Sequence, residues 1–212
     1  MRRLLPIVLL LLLPARQAAA QWDTAGLRMD HFATTPALVS AGLGAAGSVL
    51  TFVPAANRLA VAVRDEVVAA DLPRLHFDDY LQYLPLSTPV VLQLCGVKGR
   101  HSLGRMAMLE GGSYLLGGGW LYGLKYGIGR MRPDSSKNNS FPSGHTFTAF
   151  AGAELLRREY GDEYPWVAVA GYTVATVVAL MRVYNNRHWV GDVLAGAGLG
   201  VLSVTLVYWA LD

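Results

Sequence analysis

Six apolar runs follow one another after residue 35, and their lengths restrict the fold classes open to the chain. Most are about 14 to 19 residues long, at or just below the length that a helix needs to cross a bilayer. Short polar connections separate the runs, with no linker or repeat between them. The runs cover roughly residues 36–53, 83–97, 106–124, 144–157, 166–181 and 193–210. The pattern predicts an all-α, integral membrane helical bundle of about five to six spans.

Small residues are abundant in these runs, as in GGSYLLGGGWLYGL and VLAGAGLGVLSV. Small side chains let helix backbones approach closely in a bilayer, where apolar side chains gain little by leaving lipid. Trp120, Trp166 and Trp209 lie near run ends, as aromatic residues at membrane interfaces do. Apolar residues make up 53% of the chain and charged residues 16%, which favours a membrane protein over a compact soluble helical domain.

The first twenty residues have the organisation of an export signal. A basic MRR precedes the apolar LLPIVLLLLLP, and ARQAAA ends in a small-x-small pattern before Gln21. This order predicts a signal peptide at residues 1–20 and one domain over residues 21–212. An uncleaved membrane anchor is the alternative interpretation.

Charge and cysteine content argue against a nucleic-acid-binding protein and against a disulfide-bonded fold. The net charge of +3 is scattered, with no dense basic face and interleaved aromatic residues, so we expect no nucleic acid partner. The single cysteine, Cys95, cannot form an internal disulfide. Its position in the apolar run PVVLQLCGV predicts a buried, unreactive thiol.

Two basic connections predict the orientation in the membrane. Loop 98–105, KGRHSLGR, and connection 157–165 should face the cytoplasm, which leaves 125–143 and 182–192 on the opposite side. If the signal is cleaved and all six runs cross the membrane, two crossings precede loop 98–105 and put it outside. The predicted cytoplasmic position of that loop requires one crossing fewer or one more. We therefore expect 36–53 to dip into or pack against the bilayer, or the signal to remain attached.

Three polar clusters lie in the connections predicted to share one side. In KYGIGRMRP, Lys125 and Arg132 are seven residues apart and would share a face of a continuing helix. Pro133 then favours a helix end, and cations that reach towards a membrane interface would give the same pattern.

The second cluster is SFPSGHTFTAF. Ser143 can cap the helix that follows Pro142, and the first-turn N–H groups with the helix dipole then form an anion site. Gly144 allows close approach of an anion to the backbone, with His145 beside it. An ordinary helix cap with a solvated histidine is the alternative.

The third cluster is RVYNNRHWVGD. His188 and Asp192 are four residues apart, on one face of a helix. Asp192 can accept the Nδ1–H bond of His188 and leave Nε2 free to attack. Arg182 can donate two hydrogen bonds to a phosphate. An interfacial His–Asp pair without chemistry is the alternative.

In order, the motifs Lys-x6-Arg-Pro, Pro-Ser-Gly-His and Arg-x5-His-x3-Asp resemble the type 2 phosphatidic acid phosphatase superfamily over about residues 78–210. The segments DDYLQYLP and YNNRHW look like those of membrane-bound bacterial members. The resemblance implies the helical core that these phosphatases share with vanadate-dependent haloperoxidases. The family's usual serine before the third-motif arginine is Met181 here, which we expect to alter affinity but not to abolish activity.

The resemblance implies a metal-independent, cofactor-free histidine phosphatase. His188 would form a phosphohistidine, Asp192 would stabilise its ring, and His145 would protonate the leaving oxygen. The residues expected to bind phosphate are Lys125, Arg132, Ser143, Gly144 and Arg182. The expected substrate is a lipid phosphate or diphosphate: phosphatidic acid, phosphatidylglycerophosphate, undecaprenyl diphosphate or a lipid A phosphate. The expected location is the bacterial inner membrane, with the active site facing the periplasm.

Several alternatives stay open at this point. A soluble periplasmic acid phosphatase has the same motifs, and a vanadate-dependent haloperoxidase or a non-catalytic membrane scaffold belongs to a different class. Asp78 and Asp79 are interpreted as helix-capping residues, with a catalytic role as the alternative. The cations that flank the motifs would contact an anionic head group or lipid phosphates; they are Arg130, Lys137 and Arg187.

Overall fold

The computed structural model describes residues 34–212, so the signal peptide predicted at residues 1–20 lies outside the described residues. Within that range the chain forms eight helices and no strand, which confirms the all-α class. In chain order the helices are α1 (Thr34–Phe52), α2 (Pro54–Ala69), α3 (Asp78–Leu81), α4 (Leu84–Leu94), α5 (Leu103–Ile128), α6 (Gly144–Tyr160), α7 (Pro165–Tyr184) and α8 (Val190–Leu211).

Each of the six apolar runs coincides with one helix: α1, α4, α5, α6, α7 or α8. The apolar runs do not reveal α2, because its sequence PAANRLAVAVRDEVVA mixes apolar and charged residues. Within residues 34–212, three helices are long and apolar enough to cross a membrane, namely α1, α7 and α8. Run lengths predicted about five to six spans. The difference arises because α4 and α6 are shorter, with 11 and 17 residues, and α5 contains Arg105, Glu110 and Lys125 as well as many glycines.

The first helix, α1, lies antiparallel to α8 with their backbones in close contact. A Cβ atom on Gly47 would lie 2.5 Å from the backbone nitrogen of Ala195 and 2.6 Å from the carbonyl oxygen of Gly191. Only glycine allows this approach. The sequence favoured a segment that dips into or packs on the bilayer here. The structure instead has an unbroken helix whose length and composition suit a full crossing.

Helix α6 forms the centre of the bundle, packed between α7 and α8 with α4 also against it. Its Ala149, Ala151 and Ala153 are fully buried. A Cβ atom on Gly196 of α8 would lie 2.5 Å from the carbonyl oxygen of Ser143, the residue that precedes α6. This close contact fixes the start of α6 against the start of α8.

Large apolar side chains cover the outer faces of the helices, among them Leu94, Leu115 and Val169. The predicted interfacial tryptophans, Trp120, Trp166 and Trp209, are also exposed. Soluble monomers rarely expose contiguous apolar surface on this scale, so the outer faces are suited to lipid.

Cys95 is exposed, so the expectation of a buried thiol is wrong. The physical reason is the helix end: α4 stops at Leu94, and the chain turns away at Gly96, whose φ is +88°. Cys95 therefore lies at the surface beside loop 98–105.

The two basic connections lie together at one end of the bundle. The Arg100 N–H donates to the Glu159 carbonyl oxygen, and the His101 ring bonds to the Glu159 carboxylate. Buried Glu154 pairs there with Arg157 and Arg158. Connections 125–143 and 182–192 lie at the opposite end, which agrees with the predicted division of the connections between two sides.

Candidate active site

The three polar clusters meet at the end of the bundle where α5 and α7 finish and α6 and α8 begin. A fourth segment, the short α3, joins them from outside the predicted motifs. Helix ends supply unpaired backbone donors, and their dipoles favour anions at the starts of α6 and α8.

Lys125 and Arg132 converge, but not on one helix face as the spacing predicted. Helix α5 ends at Ile128 because Gly129 adopts a left-handed conformation with φ of +62°. Arg132 therefore lies in a loop that folds back. The Lys125 ammonium donates to the Asn139 carbonyl oxygen at 2.8 Å, and Arg132 Nε donates to the Asn139 side-chain oxygen at 3.0 Å. Asn139 thus aligns both cations.

Ser143 is the N-cap of α6, as predicted. Its hydroxyl accepts hydrogen bonds from the backbone N–H and the hydroxyl of Thr146. Its own N–H donates to the Asp192 carbonyl oxygen at 2.9 Å. The N–H groups of Gly144 and His145 have no such acceptor in the described part of the chain. The amides free to meet an anion are therefore those of Gly144 and His145.

His188 and Asp192 are close, although they do not share a helix as predicted. Helix α8 begins at Val190, so His188 lies just before it, and Asp192 caps it by accepting the Trp189 N–H at 3.0 Å. The loop that carries His188 is closed by its N–H, which donates to the Arg182 carbonyl oxygen. The distance from His188 Nδ1 to Asp192 Oδ2 is 3.6 Å. This is longer than a strong hydrogen bond, as is common before substrate binds.

Two residues without an assigned catalytic role in the sequence hold the Asp192 carboxylate. Arg130 Nη1 donates to Oδ1 at 2.8 Å, and the Ser140 hydroxyl donates to Oδ2 at 2.5 Å. Arg130 also bonds Thr51 and Asn57, so it points inward and is not a head-group contact. No local spacing identifies these partners, because α1, α2 and the 129–143 loop meet only in the folded chain.

Burial controls the charge of the His188 ring. The side chain is enclosed, and this burial, helped by the charges of Lys125 and Arg182, lowers the pKa of His188 to about 4 against the opposing effect of Asp192. At neutral pH the ring is uncharged, so one ring nitrogen keeps its lone pair. A neutral imidazole of this kind can act as a nucleophile.

Arg182 is buried and paired with two carboxylates. Its Nη1 donates to Asp78 Oδ2 at 2.6 Å and to Asp79 Oδ1 at 3.1 Å. Both acidic side chains therefore reach across to α7, and their interpretation as helix-capping residues is wrong; Phe77 is the N-cap of α3. Arg182 Nε is buried without a hydrogen-bond partner in the described residues. A buried donor left unpaired marks a place where an acceptor belongs.

His145 stands at the start of α6 beside this group. Its Nε2 lies 2.9 Å from Asp79 Oδ1. The other flanking cations differ from each other: Arg187 bonds Asp134 at 3.0 Å, and Lys137 is exposed. Across residues 34–212, no three His, Cys, Asp or Glu side chains converge in a way that could hold a metal ion.

Comparison with known proteins gives matches to one family. The profile of the PAP2 superfamily matches residues 107–212, half of the chain. Lipid A 1-phosphatase of Porphyromonas gingivalis is 46% identical over 136 residues, which cover 64% of this chain and 31% of that protein. Phosphatidylglycerophosphatase B of Bacillus subtilis is 34% identical over 97 residues, or 40% of this chain and 47% of that protein. The chain thus spans less than half the length of these curated relatives.

The fold has a solved counterpart. The crystal structure of a transmembrane PAP2-type phosphatidylglycerolphosphate phosphatase from Bacillus subtilis superposes with a TM-score of 0.54 and 22% identity, over 82% of this chain and 94% of that one. At this identity the likeness concerns the fold. The profile match covers all three motif clusters and the helices that carry them. The chain therefore belongs to the PAP2 superfamily.

Proposed function

We propose that the protein is a membrane-bound phosphatase that hydrolyses a lipid phosphate or lipid diphosphate. The observation that supports this most strongly is the convergence of Lys125, Arg132 and the unpaired Nε of Arg182 around the free first-turn amides of α6, with the neutral His188 ring at the same end. Such a set of fixed donors suits a phosphoryl group.

In the proposed mechanism His188 is the nucleophile. A neutral ring nitrogen, Nε2, attacks phosphorus, and the bond from phosphorus to the leaving oxygen breaks as His145 gives that oxygen a proton. Asp192 stabilises the cationic ring of the phosphohistidine. Water then attacks phosphorus, His145 takes a proton from it, and the P–N bond breaks to release phosphate and neutral His188. Ser143 contributes as the cap that positions the amides of Gly144 and His145.

This mechanism needs no metal ion, because the cations and amides already offset the charge of the phosphoryl oxygens. We expect excess chelator to leave phosphate release unchanged. Vanadate, which mimics a five-coordinate phosphoryl group, should inhibit. Loss of activity in chelator that a divalent ion restores would contradict the metal-independent mechanism.

The substrate class follows from the setting of the site and from the relatives. The names of two relatives specify a lipid A 1-phosphate and a phosphatidylglycerophosphate, and the resemblance adds phosphatidic acid and undecaprenyl diphosphate. The test is phosphate release from these four lipids by the purified protein in detergent, with His188→Ala as the matched blank. Turnover of none of them above the blank would contradict the proposal.

The soluble acid phosphatase is the less favoured alternative, since the exposed apolar faces of α1 and α7 suit lipid. We expect the protein to remain with membranes after a carbonate wash, and recovery in the soluble fraction would favour the alternative. Halide oxidation with added vanadate would instead indicate a haloperoxidase.

We further propose an inner-membrane location with the active site facing the periplasm, supported by the basic residues around loop 98–105. The single cysteine provides a direct test, because exposed Cys95 lies beside that loop. An impermeant maleimide should label Cys95 only after cells are opened. A Lys137→Cys variant on a Cys95→Ser background should label in spheroplasts with an intact membrane. The reverse pattern would contradict this orientation.

A further inference from the structure

Asp79 connects two groups of the site from outside the recognised motifs. Its Oδ1 lies 2.9 Å from His145 Nε2 and 3.1 Å from Arg182 Nη1. The residue belongs to α3, which precedes the region that the family profile matches. Asp79 stands in DDYLQYLP, which resembles membrane-bound members of the family, but none of the three motif clusters includes it and the profile begins after it, so neither gives it a role.

The segment around α3 is held firmly at the end of α7. The side chain of Asn185 donates to the Leu75 carbonyl oxygen at 2.6 Å and accepts the Leu75 N–H at 3.0 Å. Buried Asp78 accepts from Asn185 and from Arg182. These bonds hold α3 in place through Asp78, so the neighbouring Asp79 carboxylate is left to face His145.

The contact decides which ring nitrogen of His145 can meet a substrate. A carboxylate accepts, so Nε2 carries the hydrogen, and Nδ1 is the nitrogen left to face the leaving oxygen. An acid must be protonated before it acts. A carboxylate at Nε2 favours the protonated ring, as in other histidine–carboxylate pairs.

The other charges around His145 oppose or do not supply this effect. Burial and the charge of Arg182 of α7 disfavour the protonated ring and hold the pKa of His145 below its ordinary value, and Lys125 of α5 lies against Gly144 with its own positive charge. Asp192 of α8 is engaged by Arg130 and Ser140. Among residues 34–212, the carboxylates of α3 are therefore the groups that favour protonation of His145, and of these Asp79 contacts the ring.

Asp79 is also suited to remain ionised. Partial burial acts to raise its pKa, but the hydrogen bond from His145 and the charge of Arg182 outweigh this and lower the pKa of Asp79 below its ordinary value. A carboxylate is thus present throughout the neutral range.

We propose that Asp79 is the positioning residue of the acid, holding His145 by Nε2 so that Nδ1 delivers the proton to the leaving oxygen. The site then contains two histidine–carboxylate pairs, one for the nucleophile and one for the acid. This inference rests on the proposed function, in which His145 is the acid.

The test compares Asp79→Asn with Asp79→Glu and with Asp134→Asn, a matched control whose carboxylate pairs with Arg187 and contacts neither histidine. Each purified variant is assayed over a range of pH on p-nitrophenyl phosphate and on phosphatidic acid, or on phosphatidylglycerophosphate where that turns over faster. Thermal unfolding in detergent checks that each variant is folded.

Asp79→Asn should lower kcat on the lipid by about 10- to 100-fold, part of the 10²–10⁴-fold that an acid contributes. In the pH dependence of its kcat on the lipid, the alkaline limb should move to lower pH, because His145 loses its proton more easily. Turnover of the aryl phosphate, whose leaving group departs without a proton, should change little. Asp79→Glu should restore part of the lipid activity, and Asp134→Asn should match the parent.

Two outcomes would overturn the inference: an equal loss on both substrates, or a lipid profile whose alkaline limb does not move. Failure of the proposed function is separate. It would appear as turnover by His188→Ala or as an equal loss by His145→Ala on both substrates. If those two variants behave as expected and Asp79→Asn alone does not, only the role of Asp79 fails.

Discussion

The two histidines of the site stand in opposite environments. The side chains of His188 and Asp192 are 1% and 0% exposed, whereas those of His145 and Asp79 are 29% and 47% exposed. The carboxylate of the enclosed pair is held by Arg130, Ser140 and a backbone N–H. That of the open pair is shared with Arg182 and lies 3.9 Å from Nδ1 of the exposed His76 ring. A nucleophile gains from a dry, fixed and neutral ring, and an acid must reach both the leaving group and water. The difference in burial therefore follows the proposed division of labour.

The largest expected effect comes from removing the nucleophile. His188→Ala should lower turnover by about 10⁴-fold or more on every substrate, because the nitrogen that attacks phosphorus is gone. Acid quench of a reaction with ³²P-labelled lipid should trap label on the parent protein and none on the variant. Label on the variant at the parent's level would show that the enclosed pair is not the nucleophile.

Breaking the enclosed pair at its carboxylate should have the next largest effect. Asp192→Asn should cost on the order of 10³-fold on lipid and aryl phosphates alike, because the ring stays in place but loses the charge that stabilises its cation. Steady-state kcat on the two substrates measures this. A loss of kcat on the lipid phosphate alone would place Asp192 in the acid step. The two histidine–carboxylate pairs would then not divide into one for the nucleophile and one for the acid.

The close contact between α8 and the start of α6 allows a test of packing. Gly196→Ala puts a Cβ 2.5 Å from the Ser143 carbonyl oxygen, so it should displace the first turn of α6 and lower turnover about tenfold. Gly119→Ala is the control, since a Cβ there meets nothing within 4 Å. Equal kcat values for the two variants would show that this contact does not position the site.

The smallest effect concerns pH. With its pKa lowered to about 4, His188 should stay neutral at pH 5.5, where an ordinary histidine is mostly charged. Because the folded pKa lies below the unfolded value, the unfolded state binds the proton first, so the free energy of unfolding is highest above about pH 6.5 and decreases as pH falls towards 4. Selective ¹⁵N-histidine NMR, assigned with His188→Gln, should show a neutral ring at pH 5.5. A cationic His188 at that pH would contradict the described burial.

The sequence predicted the helices better than it predicted how the candidate site residues are arranged. Apolar runs identify six helices, because lipid-facing and buried residues are both apolar. They do not identify α2, because its sequence includes charged residues. The spacing of Lys125 and Arg132 suggested a shared helix face, which the left-handed Gly129 prevents. His188 likewise lies before α8 and not on it.

The missed contacts are those that join distant segments. Arg130 reaches Asp192, and Asp79 reaches His145 and Arg182, only through the packing of helices. No periodicity or spacing within one segment encodes such contacts. For a charged residue outside a motif, the sequence therefore predicts a role only from its neighbours along the chain.

The most direct test of the two-pair account is the leaving-group dependence of His145→Ala. Turnover should fall by about 10²–10⁴-fold on a lipid phosphate, whose alcohol is a poor leaving group and needs a proton. Most of that loss should disappear on p-nitrophenyl phosphate, and label should still be trapped on His188. An equal loss of kcat on both substrates would contradict the assignment of the open histidine as the acid.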